Sequence, residues 1–335
     1  MKTEILPTHT PDLFQTAVRR AAELLRAGEA VALPTETVYG LAANALDEKA
    51  VAKIFKIKGR PANNPIIVHV ANVEMAKRCV KKFPSAADRL ARAFWPGPLT
   101  LVLPRAEAIP PLVAAGGGTI GVRWPSHPFI QAVIRECDFP LAAPSANLSN
   151  RLSPTNAGHV RRQLNGQVPL IVDGGQAQVG IESTVLDLMD SPPRILRPGM
   201  IHAESLAAVC GQVQNLESAV QGLDLRSPGL LKKHYSPRAK LILLDWRDDA
   251  ELQRHLANRR LTTAHCQIIA HSKIPSDKSF AGVSVIPHDA EAFARALYAE
   301  LHRCDEAGAE IIIVESPPDL PEWSGITDRL RRAAA

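Results

Sequence analysis

The sequence offers no apolar run of the ~18 residues that a bilayer-spanning helix needs. The N-terminal stretch, MKTEILPTHTPDLF, has no charged n-region followed by an apolar h-region. No signal peptide is therefore expected, and the expected location is cytoplasmic, with no membrane partner. The five cysteines (Cys79, Cys137, Cys210, Cys266, Cys304) lie far apart and form no CxxC pair. Zinc-ribbon and thioredoxin motifs are thereby excluded, and reduced, mostly buried thiols are expected. The eleven histidines show no HExxH spacing, so no metal ligands are assigned. Aromatic residues make up only 4% of the chain, too few for base-stacking platforms. A GxxxxGKS or GxxxxGKT phosphate loop is missing, as is a GxSxG nucleophile elbow. Gly116, Gly118 and Gly121 do match GxGxxG. They enter a strand, TIGVRWP, whereas a dinucleotide fingerprint opens a helix. A flexible turn beside a ligand, with Thr119 offering a hydroxyl, fits them better.

What is present reads as a folded α/β chain. Its 335 residues correspond to about two domains. Hydrophobic residues at 46% and charged residues at 22% are close to the globular average. The net charge of +5 suits anionic ligands such as nucleotides or RNA, and equally an ordinary basic protein. PDLFQTAVRRAAELLRAGE has helical spacing of Phe14, Val18, Ala21, Leu24 and Leu25, with Gly28 as a stop. AVALP is a short buried strand, and Asp47 caps a helix through EKAVAKIFKIK. Further strands and helices alternate to about residue 210, and several neighbouring strands lack a helix between them. The pattern predicts a twisted mixed sheet for residues 1–210. Residues 211–239 are polar, with Gly and Pro, and read as a linker. Residues 240–335 carry four apolar strands, KLILLDW, CQIIAHS, VSVIP and EIIIVES, with helices among them: a smaller Rossmann-like α/β domain.

Three segments concentrate chemistry. PTETVYGL (34–41) puts Thr35, Glu36, Thr37 and Tyr39 in a tight loop at a strand's end, suited to a polar small-molecule site or simply to a capped turn. KIKGRPANNPIIVHV gathers Lys56, Lys58 and Arg60 at a helix C-terminus, followed by a proline-stiffened Asn63-Asn64 loop. Cations there complement the helix dipole, and a fixed basic loop also makes a polyphosphate clamp. His69 follows within a strand, where a histidine is commonly a hydrogen-bonded core residue. LAAPSANLSNRLSPTNAGHV crowds Ser145, Asn147, Ser149, Ser153, Thr155 and Asn156 into one loop. Such loops hold phosphate oxygens or a hydrated magnesium ion, or serve as turns.

PTETVYGL, Lys58-x-Arg60-Pro61, Asn64-Pro65 and Ser145-x-Asn147, in this order, resemble the KxR…SxN signature of the YrdC-like threonylcarbamoyl-AMP synthases. GTIGVRWP, GIESTVLDL and RILRPG resemble further family segments, and the match spans about residues 15–202. SPGLLKKHYSP (227–237) resembles the linker of the family's longer, two-domain branch. The resemblance implies an L-threonylcarbamoyladenylate synthase, a nucleotidyltransferase. It would condense L-threonine, bicarbonate (or CO2) and ATP, with Mg2+, and release pyrophosphate. The product would serve a separate threonylcarbamoyl transferase complex that modifies the adenosine beside the tRNA anticodon. Contact with tRNA or double-stranded RNA is part of the same expectation.

The resemblance also distributes roles. Lys58, Arg60, Ser145 and Asn147 form the catalytic signature, with Lys58 neutralising phosphates beside Arg60. Thr37, His69, Arg123, Ala143 and Ser183 line the threonine site, Arg123 pairing with the carboxylate. Ala143 stands where the family can place a hydroxyl. Arg60, Asn64, Thr119, Ser145, Ser153 and Arg197 contact ATP, and Tyr235 reaches over the nucleotide as part of a lid. Asn147 serves phosphate, metal-bound water or loop shape. Two rival readings are an RNA-binding module, through Lys56, Lys58, Arg60, Arg161 and Arg162, and a carbamoyl-phosphate-handling domain like that of hydrogenase-maturation proteins.

Overall fold

The structure, a computed structural model, describes residues 2–214, 235–277 and 279–335. Most of the expected 211–239 linker, including SPGLLKKH of its motif, lies outside the described residues. The described residues up to Gln214, apart from Asn150–Leu152, form one compact unit. Asn150–Leu152 and the described residues from Tyr235 onward form a second.

The first unit is built on a ten-stranded sheet. Its strands are β1 (Glu4–Pro7), β2 (Val31–Leu33), β3 (Gly40–Asn44), β4 (Val68–His69), β5 (Leu99–Pro104), β6 (Thr119–Arg123), β7 (Leu141–Ala142), β8 (Leu170–Asp173), β9 (Thr184–Asp187) and β10 (Arg194–Arg197). The order is β1-β8-β2-β3-β7-β4-β6-β5-β9-β10. β8 runs parallel to β1 and β2, β4 to β6, and β5 to β9, while the remaining neighbours are antiparallel. The sheet is mixed, as the uneven helix spacing predicted.

Local chemistry sets the helices that cover it. In Pro11–Arg26, the Thr10 hydroxyl caps Leu13 N–H and Pro11 occupies the first turn, where it forfeits no bond. Ala17, Val18, Ala21, Ala22 and Leu25 make one buried face. Phe14 beside it meets Phe129 of helix Pro128–Cys137 edge to face, at 5.2 Å between centroids. Burying such a face stabilises by about 1.5–3 kcal/mol per large side chain, and Leu25→Ala would cost about 2–5 kcal/mol. In helix Glu48–Lys58, Asp47 accepts from Lys49 and Ala50 N–H, and Gly59 ends it in the left-handed conformation (φ +58°). That turn carries the chain from Lys58 directly into Arg60.

Some elements were not expected. β3 follows the PTETVYG loop although its sequence, GLAAN, lacks β-branched residues. Helix Ala157–Leu164 emerges from the hydroxyl-rich loop because Asn156 caps His159 N–H. Helix Val73–Cys79 starts likewise at Asn72, which accepts from Met75 N–H.

In the second unit, β11 (Lys240–Leu244), β12 (Cys266–Ala270), β13 (Gly282–Val285) and β14 (Ile311–Glu315) form an all-parallel sheet in the order β11-β14-β12-β13. Helices Asp249–Asn258, Ala290–Glu306 and Ser324–Ala334 belong to this unit, and Trp246, Leu252, Ile268 and Ile313 are part of its core. An α/β fold was expected for this part of the chain, and among the described residues the unit runs from Tyr235 and takes in Asn150–Leu152. The buried Glu315 carboxylate at the end of β14 accepts N–H bonds from His271, Ser272 and Lys273, fixing the turn after β12. All five cysteines are free, and burial pushes the Cys79 thiol up to about 12 and those of Cys137 and Cys304 up to about 11. Among the described residues, no helix is long and apolar enough to cross a membrane.

Candidate functional site

The loop after β2 is shaped by Thr35. Its hydroxyl accepts from the Thr37 and Val38 N–H groups and donates to Val38 O (2.6 Å). Its own proton is thus committed, so in the 3.0 Å contact between the two hydroxyls Thr37 is the donor. Thr37 in turn accepts from Arg123 Nη1 at 3.0 Å. Arg123 ends β6, where it is the register partner of His69 at the end of β4. Its Nε donates to Gly97 O, and its Nη2 lies 2.7 Å from Glu36 Oε1 in an ion pair buried on both sides.

Electrostatics follow from that pair. Burial alone would raise the Glu36 carboxyl, but the Arg123 guanidinium together with the Ser126 and Glu36 N–H groups more than offsets it, and the group is held below the usual range. For His69, burial and then the Arg123 charge push the imidazole down to about 3, so it is neutral at physiological pH. His69 Nδ1 and Asn64 Nδ2 are buried without a hydrogen-bond partner.

A second group forms around Lys58. Its ammonium is fully buried and donates to Ser145 O (2.5 Å), to Asn147 O and to Asn147 Oδ1 (3.5 Å). Burial, and secondarily Arg60, pulls it well below the ordinary lysine range. Ser149 N–H bonds back to Lys58 O. Arg60 Nε donates to Asn64 O, and its Nη2 to Asn64 Oδ1 and Pro65 O (both 2.6 Å), so the guanidinium pins the Asn64–Pro65 turn. The SxN loop also lies along β3: Ser145 bridges Gly40, and Ala146 N–H donates to Tyr39 O.

A third strand of contacts comes from the segment before β9. Val179 N–H donates to Glu36 O, and Gly180 N–H to Thr37 O. Further on, Ser153 Oγ donates to Glu182 Oε1 (2.5 Å). Ser183 Oγ shares a bond with Thr100 Oγ1 (2.8 Å), and Arg197 grips Ser183 twice, Nε to its carbonyl and Nη2 to its hydroxyl, both at 3.1 Å.

The structure thus joins Thr37 to Arg123, His69 to the same strand pair, Ser183 to Arg197, Lys58 to Ser145 and Asn147, and Arg60 to Asn64. Ala143 adjoins β7, and its N–H is taken by Ile67 O. Thr119 opens β6 four residues before Arg123, on the order of 13 Å away along the strand. Tyr235 is buried in the second unit, its ring 6.0 Å from that of Tyr298, with the Arg329 guanidinium 5.4 Å from its centroid. Sequence reasoning put Glu36 in a candidate loop but gave it no role, and did not place Thr100 in the site. Glu36 was signalled only by its motif, and Thr100 only as the one hydroxyl inside the apolar strand LTLVLP. Among its described residues the first unit buries Lys58, Arg60, Arg123 and Arg197 against the carboxylates of Glu36, Glu182 and Asp187. That excess suits anionic ligands.

The architecture and these loops define a two-unit α/β protein whose mixed-sheet unit gathers buried charged and hydroxyl side chains at its loops. Residues 23–199 match the Sua5–YciO–YrdC family model, described as "Telomere recombination", and residues 201–335 match the model "Threonylcarbamoyl-AMP synthase, C-terminal domain". A threonylcarbamoyl-AMP synthase of Bacillus subtilis is 40% identical over 99% of this chain and 95% of its own. One from Pyrococcus abyssi is 38% identical over 95% of this chain and 94% of its own. The crystal structure of P. abyssi Sua5 complexed with L-threonine superposes with a TM-score of 0.90 at 36% identity, covering 99% of this chain and 98% of that one. The chain belongs to the threonylcarbamoyl-AMP synthase family, in its two-domain form.

Proposed function

We propose that the protein is an L-threonylcarbamoyladenylate synthase acting as a nucleotidyltransferase, with L-threonine, bicarbonate (or CO2) and the Mg2+ complex of ATP as substrates. Arg123 takes the threonine carboxylate, and Thr37 and Ser183 offer hydroxyls beside it. The neutral imidazole of His69 adds a hydrogen bond without adding charge. The threonine amine, once deprotonated, adds to CO2, forming an N–C bond and losing its second proton to solvent. A carbamate oxygen then attacks the α-phosphorus of ATP, and the bond to the β-phosphate oxygen breaks as pyrophosphate leaves.

No covalent enzyme intermediate is required, so the protein's part is positioning and charge neutralisation. Arg60 and Asn64 present a fixed basic turn to the phosphates, while Lys58 holds the Ser145-x-Asn147 loop and lends its field. Thr119, Ser153 and Arg197 complete the nucleotide contacts. The product passes to a threonylcarbamoyl transferase complex acting on tRNA. The observation that carries the reading is the Thr37–Arg123–His69 group in a chain that matches a threonine-bound relative over nearly its whole length. Pyrophosphate release from MgATP tests it. Release should require both L-threonine and bicarbonate, and release indifferent to threonine would overturn the proposal.

A further inference from the structure

Glu36 is a buried carboxylate with almost no bonds. Its side chain is 6% exposed, and Arg123 Nη2 lies against it at 2.7 Å. Neither Oε1 nor Oε2 receives a directed hydrogen bond, and Arg123 Nη2 makes none either. The contact is charge against charge, with the N–H vectors off the line between them. The Ser126 N–H and Glu36's own N–H help keep the carboxyl ionised but do not reach bonding geometry. An ionised carboxylate offers about four lone-pair directions. Leaving them empty away from water is unfavourable, so the arrangement is incomplete as it stands.

What would complete it follows from the neighbours. Arg123 Nη2 is a cationic donor, the Glu36 oxygens are anionic acceptors, and the orphaned Nδ1 of His69 lies on the adjoining strand, in register with Arg123. A cation and an anion side by side, each with unused bonding capacity, are the complement of a zwitterion. We propose that Glu36 receives the α-ammonium of the amino-acid substrate while Arg123 holds its carboxylate. The assignment rests on threonine being the substrate and deepens that reading. Glu36 is held ionised, so its part is to bind and orient the nitrogen that later captures CO2. The depressed carboxyl is a poor acceptor for that nitrogen's proton.

The competing role is structural, with Glu36 serving only to aim Arg123. Binding measurements on the full chain separate the two. The ligands are L-threonine and the 2,3-dihydroxybutanoate of the same configuration, in which a hydroxyl replaces the amine. Wild-type protein should prefer threonine by about ten-fold or more. Glu36→Gln should lose about ten- to a hundred-fold in threonine affinity and little for the hydroxy acid, since only the ammonium contact carries charge. Equal losses for both ligands would overturn the assignment and leave the structural role. Equal binding of both ligands by wild-type protein would overturn it without recourse to a variant. Pyrophosphate release is followed separately. Its absence alongside intact threonine binding would sink the synthase reading and not the Glu36 contact.

Discussion

The buried ammonium of Lys58 bonds Asn147 twice, at its backbone carbonyl and at its side-chain Oδ1, and so joins two segments 89 residues apart in sequence. The two halves of the KxR…SxN pattern are therefore one structure, a cation inside a ring of carbonyl oxygens. Lys58→Met keeps the chain length and removes every donor. The Ser145 and Asn147 carbonyls would each lose the donor that Lys58 supplies, at about 1–3 kcal/mol each. The expected result is a loss of about 2–4 kcal/mol in denaturant unfolding of the first unit, together with loss of adenylate formation. An unchanged unfolding midpoint would show that the carbonyls do not depend on Lys58.

Arg60 supplies a geometry as well as a charge. Its Nε and Nη2 reach Asn64 O, Asn64 Oδ1 and Pro65 O together, which a planar fork can do and a single ammonium cannot. Arg60→Lys preserves the charge and should still fail to restore adenylate formation, leaving it at least ten-fold down, as Arg60→Ala does. Pyrophosphate release near the wild-type rate in the lysine variant would show that charge alone is needed.

Much of this was legible from residues. Asp47, the Lys58–Gly59–Arg60 turn and the SxN loop announce themselves through capping preferences, left-handed glycine and clustered hydroxyls, all of which are local. What stayed hidden is non-local or locally weak. β1 is four residues long and pairs with β8 more than 160 positions away. β3 is too alanine-rich to signal a strand. Glu36 and Arg123 meet although β3, β7 and β4 stand between β2 and β6 in the sheet, because the loop after β2 reaches the end of β6, and no spacing in the sequence encodes that. The carbonyl ring around Lys58 was likewise invisible, since backbone oxygens carry no sequence signature. Lys58 is expected to neutralise phosphates beside Arg60, and in the structure its ammonium donates to the Ser145 and Asn147 carbonyls.

Gly199 is a position where size alone should decide function. A Cβ there would sit 2.6 Å from Thr184 N, 2.7 Å from Thr184 Oγ1 and 3.0 Å from Glu182 O. Two of these are backbone atoms that cannot swing aside, so Gly199→Ala must push the 182–184 segment away. Ser183 and its clamp from Arg197 would move with it. A shift of about 1 Å at a binding group is enough to cost about a hundred-fold in rate. The expected outcome is a folded protein with sharply reduced pyrophosphate release, whereas normal turnover would show that the Ser183–Arg197 clamp is dispensable.

His69 should make the first unit sensitive to acid. Its imidazole is held down to about 3, against an ordinary value of 6.5 in the unfolded chain. Between those limits the unfolded chain binds a proton that the folded one refuses. The stability contribution is thus complete above pH 6.5 and is lost as pH falls towards 3, by up to about 1.4 kcal/mol per pH unit. Glu36, whose carboxyl is also lowered, adds a further loss that begins only below its ordinary 4.5. His127, pushed down by burial, acts in the same direction as His69 but more weakly. Replacing His69 by Asn removes one of these groups and leaves the others. Unfolding by denaturant at pH 7.5, 6 and 5 should show wild-type protein losing about 2 kcal/mol more than His69→Asn by pH 5. Parallel pH profiles for the two proteins would mean that His69 accepts a proton in the folded state, and that the imidazole beside Arg123 is not held neutral.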